Sequence, residues 1–300
     1  MTTPIPTIAF LGIGLMGKPM ATRLAQAGYT VRVWNRAPAK AEALRAVGAK
    51  PHPELAGALD GADIVISMLE TGAVVAQVID AALASLKPGV LWIDMSSTQK
   101  GEALAFHATL RSHAIDFIDA PVSGGVVGAE AGTLAIMAGA SAHDFALAEP
   151  VLRAMGRPTL VGPAGSGQVA KLCNQLIVGG TLDIVAEALL LAHAAGADPA
   201  AVRAAMRGGF AESRILEVHG QRMLERNFMP GGQVKSQFKD MQNVLIAACD
   251  AGVVLPISTL VTEHYRSIAD DYPAADQCAA LLALEKRNPG QRLGDGPDQF

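Results

Sequence analysis

One unit near the start of the chain restricts its folding more than any other. Thr7 to Leu11, a short apolar run of strand length, leads directly into Gly12-Ile-Gly-Leu-Met-Gly17. A helical pattern from Lys18 to Ala27 follows, Gly28 ends it, and Thr30 to Trp34 is β-rich again. In this setting the glycines permit a tight turn and let backbone come close to a pyrophosphate. The helix N-terminus adds N–H groups and the positive end of its dipole. A glycine-rich turn with no ligand is the bland alternative, and the flanking strands argue against it. Gly12, Ile13, Gly14, Leu15, Met16 and Gly17 are therefore the expected cofactor loop.

The end of the second strand bears on which dinucleotide fits. An NAD site usually places a carboxylate there for the ribose hydroxyls. This chain has Asn35-Arg36, with Lys40 a turn further on. Nothing there repels a 2′-phosphate, and Arg36 can pair with it through several N–H donors, so NADP(H) is expected and NAD(H) is possible. A solvated arginine at a strand end is the alternative. Ala62–Leu69 and Val90–Asp94 read as further parallel strands, each preceded by helical material. The segments that follow them, Leu69-Glu70-Thr71 and Met95 to Thr98, fall where open α/β sheets hold ligands. Ser97 is a plausible contact on the nicotinamide side; helix capping explains those serines equally well.

Ile115 to Ala120 is one more strand, leading to Pro121-Val-Ser-Gly-Gly125. Two glycines after a serine offer backbone N–H donors beside a hydroxyl, which suits a carboxylate or another small anion. A plain β-turn is the other reading. A serine hydrolase is a poor one, since the pattern is not G-x-S-x-G. Thr133–Gly139 and Thr159–Val161 can complete a mixed sheet at its edge.

From Gly165-Ser-Gly-Gln-Val-Ala-Lys-Leu-Cys-Asn174 onward, helical patterns dominate. Lys171 and Asn174 are three residues apart and share a helix face. Leu176 to Ala195 approaches membrane length but carries Asp183, Glu187 and His193, which a bilayer would bury at high cost. A buried helix with close-approach glycines at Gly179-Gly180 is the better reading. Asp198-Pro199 reads as a helix start, Gly208 to Ser213 as a break, Lys239-Asp240 as lying near the start of another helix, and Leu255-Pro256 as the next start. Lys286 to Phe300 lacks periodicity and reads as a loose tail.

Composition narrows the class. Half of the 300 residues are hydrophobic and 17% are charged, enough for a large core and about two domains. A net charge of -4 without a long basic run argues against nucleic acid. The opening Met-Thr-Thr-Pro-Ile-Pro-Thr lacks the basic head and apolar run of a secretory signal. Cys173, Cys249 and Cys278 read as reduced packing residues, so a cytoplasmic protein is expected. The histidines at 52, 107, 113, 143, 193, 219 and 264 show no ligand spacing, and no metal is expected.

Taken together, Gly12-x-Gly-x-x-Gly17, Asp119-Ala-Pro-Val-Ser-Gly-Gly125, Gly165-x-Gly-x-x-x-Lys171-x-x-Asn174 and Lys239-Asp240 resemble the four signatures of the β-hydroxyacid dehydrogenases. Within that family, Gly196-Ala-Asp198 and Gly208 to Gly220 look like the tartronate semialdehyde reductases. The resemblance implies an α/β Rossmann-type N-terminal domain (1–164) and an all-α C-terminal domain (165–285) opened by a long interdomain helix, with 286–300 as the tail. It implies Lys171 as catalytic general acid/base; Ser123, Gly124, Gly125 and Asn174 as substrate contacts; and Leu69, Ser97 and Lys239 as cofactor contacts beside Asn35 and Arg36. The implied reaction is NAD(P)H-dependent reduction of tartronate semialdehyde to D-glycerate. Alternatives are a dehydrogenase of 3-hydroxyisobutyrate, succinic semialdehyde or another short hydroxyacid, an imine reductase, or a non-catalytic NADP-binding module. Burial between domains would lower the pKa of Lys171 towards neutrality. A homodimer or homotetramer is also implied. The chain departs from the family at Glu70 and Lys100, each where a proline is common, and in the polar run Val234–Lys239.

Overall fold

In the computed structural model, which describes residues 5–300, the β-rich runs of the first half become nine strands of one sheet. They are β1 (Thr7–Leu11), β2 (Thr30–Trp34), β3 (Lys50–Pro51), β4 (Ile64–Ser67), β5 (Leu91–Asp94), β6 (Asp116–Asp119), β7 (Val122–Ser123), β8 (Leu134–Gly139) and β9 (Gly156–Gly162). Most of the opening stretch read for a signal lies outside the described residues. Six strands pair in parallel in the spatial order β3-β2-β1-β4-β5-β6, the doubly wound order of dinucleotide-binding folds. β8 runs antiparallel to both β6 and β7, and β9 lies parallel to β8.

The central strands β1, β4 and β5 read as largely apolar runs because both faces of the sheet are covered there. Ile8, Phe10, Val31, Val33, Ile64 and Ile66 pack with Met20 and Leu24 of the Gly17–Gln26 helix on one face. Their neighbours Ala9, Leu11, Val65, Trp92 and Phe117 pack with Val75, Ile79 and Leu110 on the other. Each such large side chain contributes about 1.5–3 kcal/mol when fully buried.

The chain separates into two compact units, Met1–Lys171 and Leu172–Phe300. The expected division at 164/165 falls just before the Ser166–Ala194 helix, whereas this boundary falls inside it. By length and composition that helix could cross a membrane, but half of its most apolar window is buried inside the protein.

The second unit is helical: Pro199–Ala205, Arg214–Leu224, Val234–Asp250, Pro256–Ala269 and Ala280–Arg287 follow one another. Leu182, Leu189, Phe228, Met241, Tyr265 and Leu281 lie in its core. Asp198 and Ser213 cap two of these helices through their side chains, accepting from Ala200 and Leu216 N–H. The helix bearing Lys239 and Asp240 begins at Val234, earlier than expected, because Gln237 in its polar first turns is itself buried.

Residues 286–300 are not a loose tail. The Phe228 N–H donates to Gln299 O at 2.8 Å, and the Gln299 N–H donates to Arg226 O at 3.0 Å. Arg226, 1% exposed, pairs with Glu285 at 2.8 Å and with Asp298, and donates to Leu293 O at 2.6 Å. A buried guanidinium is tolerable only with such neutralising partners. The Phe300 ring completes the closure by stacking on Phe228 and Tyr272.

Candidate active site

The glycine loop is shaped by close approach. Gly12 has φ +101°, and a Cβ there would lie 2.3 Å from Met68 O. At Gly17 a Cβ would lie 1.9 Å from Gly12 O. No side chain caps the Gly17–Gln26 helix among the described residues, and its first turn carries no acidic residue. Its N-terminal N–H groups and dipole therefore suit a phosphate, and the residues present fit a dinucleotide. Ile13 N–H donates to Asn35 Oδ1 at 2.9 Å, and Asn35 Nδ2 donates to Ala37 O at 3.1 Å. Asn35 thus holds the loop in shape. Arg36 beside it is exposed. A groove of about 760 Å³ runs along the helix from Ile13, Gly14 and Leu15 past Lys18 and Lys40.

The carboxyl ends of the strands form a row in register: Trp34, Leu11, Ser67, Asp94, Asp119 and Gly139 stand opposite one another across six strands. Ser67, Asp94 and Asp119 are fully buried. Ser67 Oγ donates to Asp94 Oδ1 at 2.8 Å and accepts from Trp92 Nε1 at 2.9 Å. Ser96 Oγ donates to the same carboxylate at 2.7 Å and accepts from Leu69 N–H at 2.9 Å. Burial outweighs these bonds and pushes the Asp94 carboxyl up to about 6. The serine beside Ser97 is therefore spent on the strand ends. The following helix, Lys100–Ser112, is tied at its start by Glu102, which accepts from Gln99 N–H at 2.8 Å.

Asp119 holds the start of the long helix. Its Oδ1 accepts from Gly165 N–H at 2.7 Å and its Oδ2 from Gln168 N–H at 2.8 Å. Gly139 and Gly167 make room: a Cβ on Gly139 would lie 2.4 Å from Asp119 Oδ1, and one on Gly167 would lie 2.4 Å from both Asp119 O and Met137 O. Burial pushes Asp119 up to about 7, against the pull of those two N–H donors. The Gln168 carboxamide accepts from Thr98 N–H at 3.0 Å and donates to Ser96 O at 2.9 Å. Lys171, one turn on and 9% exposed, follows Gln168 on the same helix face. The first unit thereby sets the glycine loop, Asn35, Leu69 and Ser97 at the carboxyl ends of the strands, with Lys171 one turn beyond the Gln168 that is tied there.

Ser123 ends β7, and Gly124, at φ +135°, leads into the Gly125–Ala131 helix. In the second unit, Asn174 Nδ2 donates to Gln175 Oε1 at 2.8 Å. Gln175 Nε2 donates to Gln237 Oε1 at 3.0 Å and Asp240 Oδ2 at 2.7 Å, and Lys239 stands 3.3 Å from Asp240. This network accounts for the polar run before Lys239: Gln237 sits against Gly179, where a Cβ would lie 2.7 Å from its Nε2.

Residue type and spacing assign no role to three of these groups, Asp94, Asp119 and Gln168, although Asp119 and Gln168 stand inside the Asp119–Gly125 and Gly165–Asn174 motifs. The local signal for Asp94 is only a polar residue closing an apolar strand. Folding also gathers His219, Asp276 and Cys278, whose ligand atoms lie within 4.8 Å of one another. Asp276 there already accepts from Gly232 N–H at 3.1 Å and Cys278 N–H at 3.0 Å, and Arg222 lies 3.8 Å away.

Comparison with known proteins bears on the family and the fold. Residues 7–179 match the family described as the NAD binding domain of 6-phosphogluconate dehydrogenase. Residues 165–284 match the family described as NAD-binding of NADP-dependent 3-hydroxyisobutyrate dehydrogenase. The 2-hydroxy-3-oxopropionate reductase of Escherichia coli is 38% identical over 93% of this chain and 99% of its own. The NAD-dependent L-serine dehydrogenase of Pseudomonas aeruginosa is 35% identical over 95% of this chain and 99% of its own. The solved 3-hydroxyisobutyrate dehydrogenase of Mycobacterium tuberculosis with L-serine superposes with a TM-score of 0.87 at 33% identity, covering 94% of this chain and 99% of that one. The chain belongs to the β-hydroxyacid dehydrogenase family: it is an oxidoreductase with an NAD(P)-binding Rossmann domain and a helical C-terminal part.

Proposed function

We propose that this enzyme reduces tartronate semialdehyde to D-glycerate with NADPH, and that Lys171 is its proton donor. The observation that carries the reading is Lys171 itself, a buried cation on the helix face that Gln168 ties to the 96–98 loop. The 38% identity to the Escherichia coli reductase supports the substrate. When bound, the dinucleotide supplies a hydride to the aldehyde carbon. The Lys171 ammonium stabilises the developing alkoxide and gives it a proton, and the neutral amine takes a proton back in the reverse oxidation. Ser123, Gly124, Gly125 and Asn174 are assigned to the substrate, and Leu69, Ser97 and Lys239 to the cofactor, by resemblance to the family. Arg36, with Lys40 a turn on and no carboxylate at the strand end, supports NADPH over NADH. Ile177, Ile184 and Leu191 are exposed at seven-residue intervals along one helix, a stripe that supports homo-oligomer formation. The absence of a paired-cysteine framework supports a cytoplasmic setting.

The test is a steady-state comparison of tartronate semialdehyde with succinic semialdehyde and the semialdehyde of 3-hydroxyisobutyrate, using both nicotinamides, beside Lys171→Ala. Tartronate semialdehyde with NADPH should give the highest kcat/KM, and Lys171→Ala should lose at least ~10²-fold in kcat. Near-normal kcat in that variant would end the mechanism. The likeness to the L-serine dehydrogenase makes oxidation of L-serine the second activity to assay.

A further inference from the structure

Three ties converge on one buried residue. Gln168 is 0% exposed, its backbone N–H is held by Asp119 at the end of β6, and its carboxamide closes on both residues that flank Ser97. We infer that Gln168 is a positioning residue for catalysis: it fixes the distance between Lys171, one turn above it, and the Ser97 loop. The inference rests on the reading of Lys171 as proton donor.

The chemistry of the clasp selects glutamine. Thr98 presents an N–H and Ser96 a carbonyl, so the side chain between them needs one acceptor and one donor at its tip. Methionine would fill the space and leave both backbone groups buried and unmet. Ionised glutamate would satisfy Thr98 but set a carboxylate oxygen against Ser96 O. A protonated glutamic acid, with one carbonyl and one O–H, reproduces the carboxamide pattern. Loss of the clasp frees the Ser97 loop from the helix turn that carries Lys171, and a displacement of about 1 Å between reacting groups is enough to cost ~10²-fold in rate. The glycine loop and Asn35 are untouched by the change and only the contact assigned to Ser97 is disturbed, so binding of the dinucleotide should fall far less than kcat.

The experiment compares wild type, Gln168→Met, Gln168→Glu and Lys171→Ala for tartronate semialdehyde reduction with NADPH from pH 5.5 to 9. Folding is checked by tryptophan fluorescence, and NADPH affinity by titration. Gln168→Met should lose roughly 10–100-fold in kcat at every pH, with NADPH affinity within about threefold of wild type, less than the tenfold that 1.4 kcal/mol represents. Gln168→Glu should approach wild-type kcat at the acid end and fall towards Gln168→Met as its carboxyl ionises. A folded Gln168→Met with wild-type kcat overturns the inference. So does a Gln168→Glu profile parallel to wild type, which decides the matter if Gln168→Met does not fold. Lys171→Ala separates the two readings: retained kcat there sinks the proton-donor assignment, whereas its loss beside an active Gln168→Met sinks only the clasp. If wild type does not reduce tartronate semialdehyde, the substrate reading fails and the same comparison runs on whichever semialdehyde of the panel it reduces.

Discussion

Asp119 makes the stability of the nucleotide-binding unit depend on pH in a direction opposite to that of most carboxylates. Its folded pKa is about 7 against 3.8 for the free side chain. Between those values the native state binds more protons than the unfolded chain, so stability falls as pH rises. The contribution is fully present below about pH 4 and is lost as pH passes through about 7. A difference of about three units, at 1.36 kcal/mol each, puts the change near 4 kcal/mol for this group. Asp119→Asn removes the ionisation. It also turns one amide donor towards the N–H of Gly165 or Gln168, a roughly constant cost of about 1–3 kcal/mol. The variant should therefore be the less stable protein at pH 5, and the gap should close or reverse by pH 8. Urea unfolding followed by tryptophan fluorescence is the assay, because both tryptophans, Trp34 and Trp92, lie in the first unit and report on it alone. Parallel stability curves, or a gap that widens with pH, would refute the burial of a reluctantly charged Asp119.

Three further outcomes are expected. Arg36→Glu should raise KM for NADPH by about 10–100-fold, the equivalent of a lost charge-assisted bond of about 1.5–3 kcal/mol, with little change for NADH; equal effects on both would exclude Arg36 from the 2′-phosphate. Gly17→Ala should lose about 1–3 kcal/mol of stability together with NADPH binding, because its Cβ would meet Gly12 O at 1.9 Å with no flexible atom to yield; a fluorescence titration against wild type checks it. Arg226→Met should destabilise the helical unit by about 3–5 kcal/mol, since Glu285 and Asp298 would lose the cation they share; an unchanged thermal transition by circular dichroism would contradict it.

Local pattern carries some parts of this molecule and not others. β1 coincides with the apolar run that predicts it, because a strand buried on both faces leaves an unbroken signal, and β2 with its β-rich run, where Val31 and Val33 are buried between less buried neighbours. β3 and β7 span two residues each, too few for any period, and exist only because a neighbouring strand offers bonds. The early start at Val234 is hidden for a different reason. Gln237 looks solvated in sequence, and its partner Gln175 lies 62 residues away. The closure of the C-terminal residues is likewise non-local, set by Arg226 and acids that follow it by 59 and 72 positions. At the site, the motifs point to Lys171 and the glycine loop, whose chemistry is written in residue type and spacing. Asp119 and Gln168 stand inside such motifs, but their roles escape notice because their partners are backbone groups of other segments, and backbone has no sequence signature.

The network around Asn174 has a directional consequence. A carboxylate can only accept, so Asp240 obliges Gln175 to point its NH₂ group inward. The carbonyl end of Gln175 is then left to receive Asn174, which sets the sense of that second amide as well. A carboxamide is nearly symmetric in shape and would otherwise settle in either of two orientations. A fixed negative charge on one helix is thus converted, through one intermediate amide, into polarity on another: which edge of Asn174 gives a proton and which receives one is decided by an acid it never touches.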